Sequence, residues 1–268
     1  MAISLKSLTK PTQRPVIITL VGEGGIGKSS LGANFPNPVF IRTEDGTQSI
    51  SHRDDVALFP VANTYQDVID AMQALATEEH SFKTLVLDSI TQLNVLAEAE
   101  VVMNDPKCPK GINQALGGFG NGHAAVSDMH RMVREAAGWL VAQKNMNVVF
   151  IAHAIAETVD PPDTDSYTRY SIRMNARSVA HYSDNVDLVG FIKLRTFTRG
   201  EGNVKKATTT GERIITCYPT ANHISKNRFG IKEDLVFAEG TNPFVSWIPA
   251  LQTSNTSNTE RKANKQGA

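Results

Sequence analysis

Lys28 and Ser29 are the residues from which chemistry can first be read. They close the stretch Val21-Gly22-Glu23-Gly24-Gly25-Ile26-Gly27-Lys28-Ser29-Ser30, whose Gly22-x-x-x-x-Gly27-Lys28-Ser29 spacing is that of a phosphate-binding loop, or P-loop. In such a loop backbone N–H groups cradle phosphate oxygens, the Lys28 ammonium reaches the β and γ oxygens, and the Ser29 hydroxyl holds Mg²⁺. The implied ligand is a nucleoside triphosphate, with Mg²⁺ as its companion cation. A chance glycine-rich turn is the competing reading; the spacing, the lysine and the apolar run before the loop together weigh against it.

Three further polar residues stand where apolar runs stop. Thr84-Leu85-Val86-Leu87-Asp88-Ser89 closes on a carboxylate, the pattern in which an aspartate at a strand tip holds the Mg²⁺ shell through water. The bland alternative makes Asp88 or Ser89 the cap of the helix suggested by Ile90, Leu93 and Leu96. Pro38-Val39-Phe40-Ile41 runs into Arg42-Thr43-Glu44-Asp45-Gly46, and Asn147 to Ala152 runs into His153. Ligands of α/β sheets bind beyond the carboxyl ends of strands, so the P-loop, Glu44, Asp88 and His153 are expected on one edge.

The elements that must position them follow from apolar periodicity. Val16-Ile17-Ile18-Thr19-Leu20-Val21 is a β-branched run suited to a strand covered on both faces. Val56 to Val61 predicts another short strand. Thr64 to His80 predicts a helix with Val68, Met72 and Leu75 on one face, capped by Thr64 or Asn63. His123 to Lys144 predicts a long helix with Val126, Met129, Val133, Ala136 and Leu140 inward, and His130 beside them as a core-edge histidine rather than a ligand. The fold class is α/β, a mostly parallel central sheet flanked by helices, with an antiparallel hairpin towards the C-terminus.

Two long connections are candidates for function. Asn104 to Gly122 contains Gly, Pro and Lys. Ile155 to Ala176 is polar, interrupted by Pro161-Pro162, and reads as a mobile loop in which Tyr167, Arg169, Tyr170 and Arg173 would stack bases and neutralise phosphates. Glu157, Asp160, Asp163 and Asp165 support the alternative of a solvated acidic loop. Strands at Val186 to Leu194 and Arg213 to Tyr218 make a hairpin whose tip carries Lys193, Arg195, Arg199, Lys205 and Lys206. It is either a contact for nucleic-acid backbone or a surface charged for solubility. Lys226 and Arg228, two residues apart, point the same way on an extended segment and suit one phosphate group.

With 268 residues the chain suits one large domain, read as an arm over 1–14, a nucleotide-binding domain over 15–251 and a disordered tail over 252–268. Net charge of zero excludes a globally basic nucleic-acid binder, though not a local basic surface. Cys108 and Cys217 have no metal or disulfide spacing, and no apolar run reaches the length of a membrane span or a secretory signal, so a cytoplasmic setting without membrane contact is expected.

On these residues the chain resembles a known family. Glu23 stands where partition ATPases carry a signature lysine. Asp88-Ser89 lacks the paired acids of helicases and AAA+ machines, and no arginine-rich lid of a nucleoside kinase is evident. The sequence is similar instead to the RecA-like ATPases, above all their compact phage-encoded branch of the single-strand annealing and recombination type, over Pro15 to Pro249. The marks are Leu85-Val86-Leu87-Asp88-Ser89, Thr43-Glu44-Asp45-Gly46, Phe150-Ile151-Ala152-His153 and Lys226-Asn227-Arg228. The resemblance implies ATP hydrolysis with Glu44 as general base and His153 as the γ-phosphate sensor, in place of the glutamine of the bacterial recombinase. It makes Lys226 and Arg228 a finger onto the neighbouring subunit's nucleotide, and the loops at Asn104 to Gly122 and Ile155 to Ala176 DNA contacts. The partners it implies are single-stranded DNA, a homo-oligomer (ring or filament) with shared ATP sites, and a single-stranded-DNA-binding protein, in the cytoplasm of an infected bacterial host. Two alternatives are a nucleotide-sensing regulator or loader acting on a protein partner, and a small-molecule kinase.

Overall fold

Ile17–Gly22 (β1) is buried at all six positions, as a β-branched run covered on both faces should be. A computed structural model describes residues 4–10, 12–199 and 206–254 of the chain. In it β1 lies near the middle of a sheet whose other strands are Pro38–Arg42 (β2), Ala57–Val61 (β3), Thr84–Asp88 (β4), Asn147–Val159 (β5), Tyr167–Ile172 (β6), Leu188–Arg199 (β7), Lys206–Thr216 (β8), Lys226–Asn227 (β9) and Leu235–Val236 (β10). The order is β10-β8-β7-β1-β5-β4-β2-β3, with β6 paired to β5 and β9 to β7. From β7 to β3 the pairings are parallel, and β7–β8 is an antiparallel hairpin longer than expected: the strands run on to Arg199 and from Lys206, so Lys193 and Arg195 lie within β7 rather than at a tip.

Alternation along the strands divides the core in two. Ile17 and Val21 face one layer and Ile18 and Leu20 the other. The first layer is covered by Tyr65–Thr77 (α2), Ile90–Met103 (α3), Asn121–Gln143 (α4) and Ala176–Ser183 (α5). The second is covered by Lys28–Gly32 (α1) and by short helical turns at Pro243–Ser246 and Pro249–Ser254, through Leu31, Phe35, Phe244, Ile248 and Leu251. Thr64 caps α2: its hydroxyl accepts from the Asp67 amide at 3.1 Å while the Asp67 carboxylate accepts from the Thr64 amide at 2.9 Å. Val68, Met72 and Leu75 are buried on that helix as its spacing predicts. Among the described residues no helix is long and apolar enough to cross a membrane.

The expectation of a mobile loop over Ile155 to Ala176 is corrected. β5 continues past the sheet edge to Val159 and returns as β6, paired antiparallel from Ala154↔Ile172 to Val159↔Tyr167. The acidic residues that suggested a solvated loop supply one cross-strand pair, since Glu157 stands opposite Arg169 and accepts from it at 2.9 Å. β-Branched and aromatic residues at Ile155, Val159, Tyr167 and Tyr170 fit a pleated ribbon, and Pro161-Pro162 lies in its turn. His130 is not at the core edge but wholly buried, bonded to the Tyr182 hydroxyl at 2.8 Å and to the Asn94 side-chain Oδ1 at 3.1 Å.

Candidate functional site

Parallel register brings the carboxyl ends of β1, β2, β4 and β5 to one edge, pairing Gly22 with His153 and Arg42 with Asp88. After Gly22 the chain turns through Glu23 to Gly27 and enters α1 at Lys28. Gly27 adopts φ 100°, a left-handed conformation that a side chain resists. Lys28 is buried, and its ammonium donates to the carbonyls of Gly22 at 2.9 Å and Glu23 at 2.6 Å. Burial lowers its pKa to about 8, against the opposing pull of Asp88 and Glu44, and the nearby Arg173 charge pushes the same way as burial.

Ser29 and Asp88 meet directly, hydroxyl to carboxylate, at 2.5 Å. Asp88 is 7% exposed. Burial pushes its carboxyl up, while the Ser29 bond and the Lys28 charge hold it down. The helix-cap role falls to Ser89, whose hydroxyl accepts from the Gln92 amide at 3.2 Å, so Asp88 is left for the P-loop. Two converging hard oxygens fit Mg²⁺, which takes one or two protein oxygens and completes its shell with phosphate and water. Among the described residues no group of three His, Cys, Asp or Glu side chains forms a metal cage.

Glu44 completes the cluster. Its Oε1 accepts from the Ser89 hydroxyl at 2.9 Å and from His153 Nε2 at 3.1 Å. The His153 bond, more than any other cause, holds the carboxyl below its usual range, although burial opposes it. Thr43 clamps the ends of β2 and β4 together: its hydroxyl accepts from the Ser89 amide at 2.8 Å and donates to the Ser89 carbonyl at 2.9 Å. Thr91 fixes the other side by accepting from the His153 amide at 2.9 Å. The arrangement can hold a triphosphate and its cation, orient a water molecule and accept its proton.

Other candidate residues are placed elsewhere. Lys226 and Arg228 both face the segment before β7, as their spacing predicts: Lys226 donates to the Asp184 carbonyl at 2.5 Å and Arg228 to the Asp187 carboxylate at 3.1 Å. That carboxylate also takes Arg14 at 2.7 Å and the Ile17 amide at 3.0 Å, at the amino ends of β1 and β7. Arg228 therefore lies at the sheet edge opposite its own P-loop, whereas Lys226 stands opposite Val189, level with Thr19 midway along β1, and lines a hollow with Glu157 and Arg169. Arg173 is placed by its backbone bond to the His153 carbonyl at 2.9 Å, on the nucleotide side. Tyr167, Arg169 and Tyr170 lie on β6. Arg195 is paired with Glu212 across the β7–β8 hairpin. Arg199 and Lys206 pair as backbone positions, and Lys205 lies outside the described residues.

Thr43, Thr91 and Arg213 are site residues that spacing does not single out. Arg213 comes from β8 and lies against Gly27. It is found only through the β7–β8 register, which sets Leu194 opposite Arg213.

Sheet order, P-loop and the strand-end acids together define a P-loop nucleoside triphosphatase. The sequence pattern of the family described as AAA domain matches residues 14–229, and the chain belongs to that family. The Asp88-Ser89 ending, unlike the acid pair of many AAA+ machines, does not set it outside. No curated protein matches the chain.

Proposed function

We propose that this ATPase is RecA-like, of the compact phage-encoded type, hydrolyses ATP with Mg²⁺, binds single-stranded DNA and promotes annealing or homologous recombination. The observation that carries this reading is a cleft of about 540 Å³ beside the P-loop, with Glu23 and Ile26 in one wall and Arg169, Tyr170, Lys193 and Thr196 in another. Tyr170 stacks on Phe191 at 5.3 Å and Phe191 on His223 at 4.6 Å, and Tyr170 is 40% exposed. A half-exposed ring at the end of such a stack, flanked by cations, suits an unpaired base of any identity. Because the loop that holds the triphosphate also walls the cleft, a change at one alters the other.

The test is ATP turnover with and without single-stranded DNA. Stimulation is expected, reduced several-fold by Tyr170→Ala and abolished by Lys28→Ala; no stimulation by any nucleic acid overturns the recombinase reading.

A second reading, a nucleotide-dependent regulator of a protein partner, is favoured by one observation. Phe119 is fully exposed and Leu116 is 45% exposed, both at positive φ (51° and 54°) among the glycines of the connection from α3 to α4. A salt titration separates the two: DNA affinity falls with log salt at a slope of about 0.7 per phosphate contact on single strands, whereas apolar docking on Phe119 gives a shallow slope.

A further inference from the structure

Gly27 is pressed from outside the loop by two side chains. The Arg213 Nη1 lies 2.5 Å and the Phe237 Cε1 lies 3.2 Å from where a β-carbon of residue 27 would stand. The guanidinium carbon lies 4.6 Å from the centre of the Phe237 ring, and the Phe237 amide donates to the Arg213 carbonyl at 2.9 Å. Among the described residues no carboxylate or side-chain acceptor takes the Arg213 guanidinium. Phe237 is buried and Arg213 half-buried, so one face of the guanidinium is backed and part of it stays open.

Sheet order gives this pair a direction. Asp88, Glu44 and His153 stand on or just after β4, β2 and β5, all on one side of β1, and Arg213 and Phe237 stand on β8 and just after β10, on the other. The hydrolysed end of a triphosphate belongs with Lys28, Ser29, Asp88 and Glu44. Its nucleoside must then leave the loop towards β7, β8 and β10, where Arg213 waits.

We propose that Arg213, backed by Phe237, recognises the nucleoside half of the bound nucleotide by stacking its planar guanidinium on the base. A guanidinium stacks on flat rings in a way an ammonium cannot, and the aromatic ring behind it fixes its plane. The proposal rests on triphosphate binding at the P-loop and adds which residue reads the nucleoside.

Binding of Mg²⁺-ATP and of Mg²⁺-tripolyphosphate, which has no nucleoside, is measured by calorimetry on the full chain, Arg213→Ala, Arg213→Lys and Lys28→Ala, with each variant's thermal midpoint as a check of folding. Arg213→Ala is expected to weaken ATP about tenfold and leave tripolyphosphate unchanged, and Arg213→Lys to weaken ATP nearly as much. Unchanged ATP affinity overturns the proposal. So does equal weakening of both ligands with rescue by lysine, which would mark a phosphate contact. If Arg213→Ala does not fold, Arg213→Lys alone decides by the same comparison. Failure of the triphosphate site itself is distinct: the unaltered chain would then bind neither ligand, whereas a working site loses both in Lys28→Ala.

Discussion

One oxygen of Glu44 accepts from both Ser89 and His153, leaving its other oxygen for a water molecule. Glu44→Gln keeps an acceptor for both donors and removes the base. ATP affinity should be retained while single-turnover hydrolysis falls by a factor on the order of 10²–10⁴. Hydrolysis at the unaltered rate would remove Glu44 from the chemistry. A sensing role for His153 would act through a ring N–H, and an amide can supply the same donor. His153→Gln is therefore expected to keep more activity than His153→Ala in the same assay, and the reverse order would show that position 153 senses nothing through a hydrogen bond.

At the scale of elements, the cluster depends on two strand ends being held together. Thr43 does this through both backbone groups of Ser89. Thr43→Val keeps the shape but leaves the buried Ser89 amide without a partner, at a cost of about 1–3 kcal/mol, while the Ser89 carbonyl keeps the Leu93 amide at 3.0 Å. Chemical denaturation should show that loss, and turnover should fall while ATP affinity holds, because Glu44 loses its register with Ser89. Thr43→Ser should restore both, and a Thr43→Val protein of full stability and activity would refute the clamp. The β5–β6 ribbon is the other decisive element: by continuing β5 past His153 it carries Arg169 and Tyr170 out beside the P-loop.

Across the whole molecule, the edge bearing Arg228 is the one opposite the P-loop, so another copy alone could bring this cation to a nucleotide. Such a head-to-tail contact closes into a ring or runs on as a filament. Arg228→Ala and Glu44→Gln proteins, each impaired, should recover part of the ATPase rate when mixed. No recovery would confine Arg228 to its ion pair with Asp187.

The buried centre of the molecule makes a separate prediction about acid. Burial lowers the His130 pKa to about 3, so below its ordinary value of about 6.5 the unfolded chain takes up a proton that the folded chain refuses. Stability is lost as pH falls through that window. His130→Gln should flatten the dependence by up to about 1.4 kcal/mol per pH unit between about pH 6 and pH 4, measured by denaturant unfolding. Parallel curves for the two proteins would show that His130 is not the group responsible.

Local pattern was sufficient for much of this protein. The P-loop, the strand-end positions of Glu44, Asp88 and His153, the capped helix α2 and the β7–β8 hairpin are all legible, because a phosphate cradle needs a fixed spacing and burial imposes a fixed period. Polar composition misdirected the reading of Ile155 to Ala176, where cross-strand pairing with a distant partner turns charged residues into a ribbon. Tertiary structure alone decided that Ser89 rather than Asp88 caps α3, that Lys226 and Arg228 leave their own P-loop, and that Arg213 and Phe237 reach Gly27. Each of these depends on which strand lies beside which and in what register, and no short-range spacing encodes either.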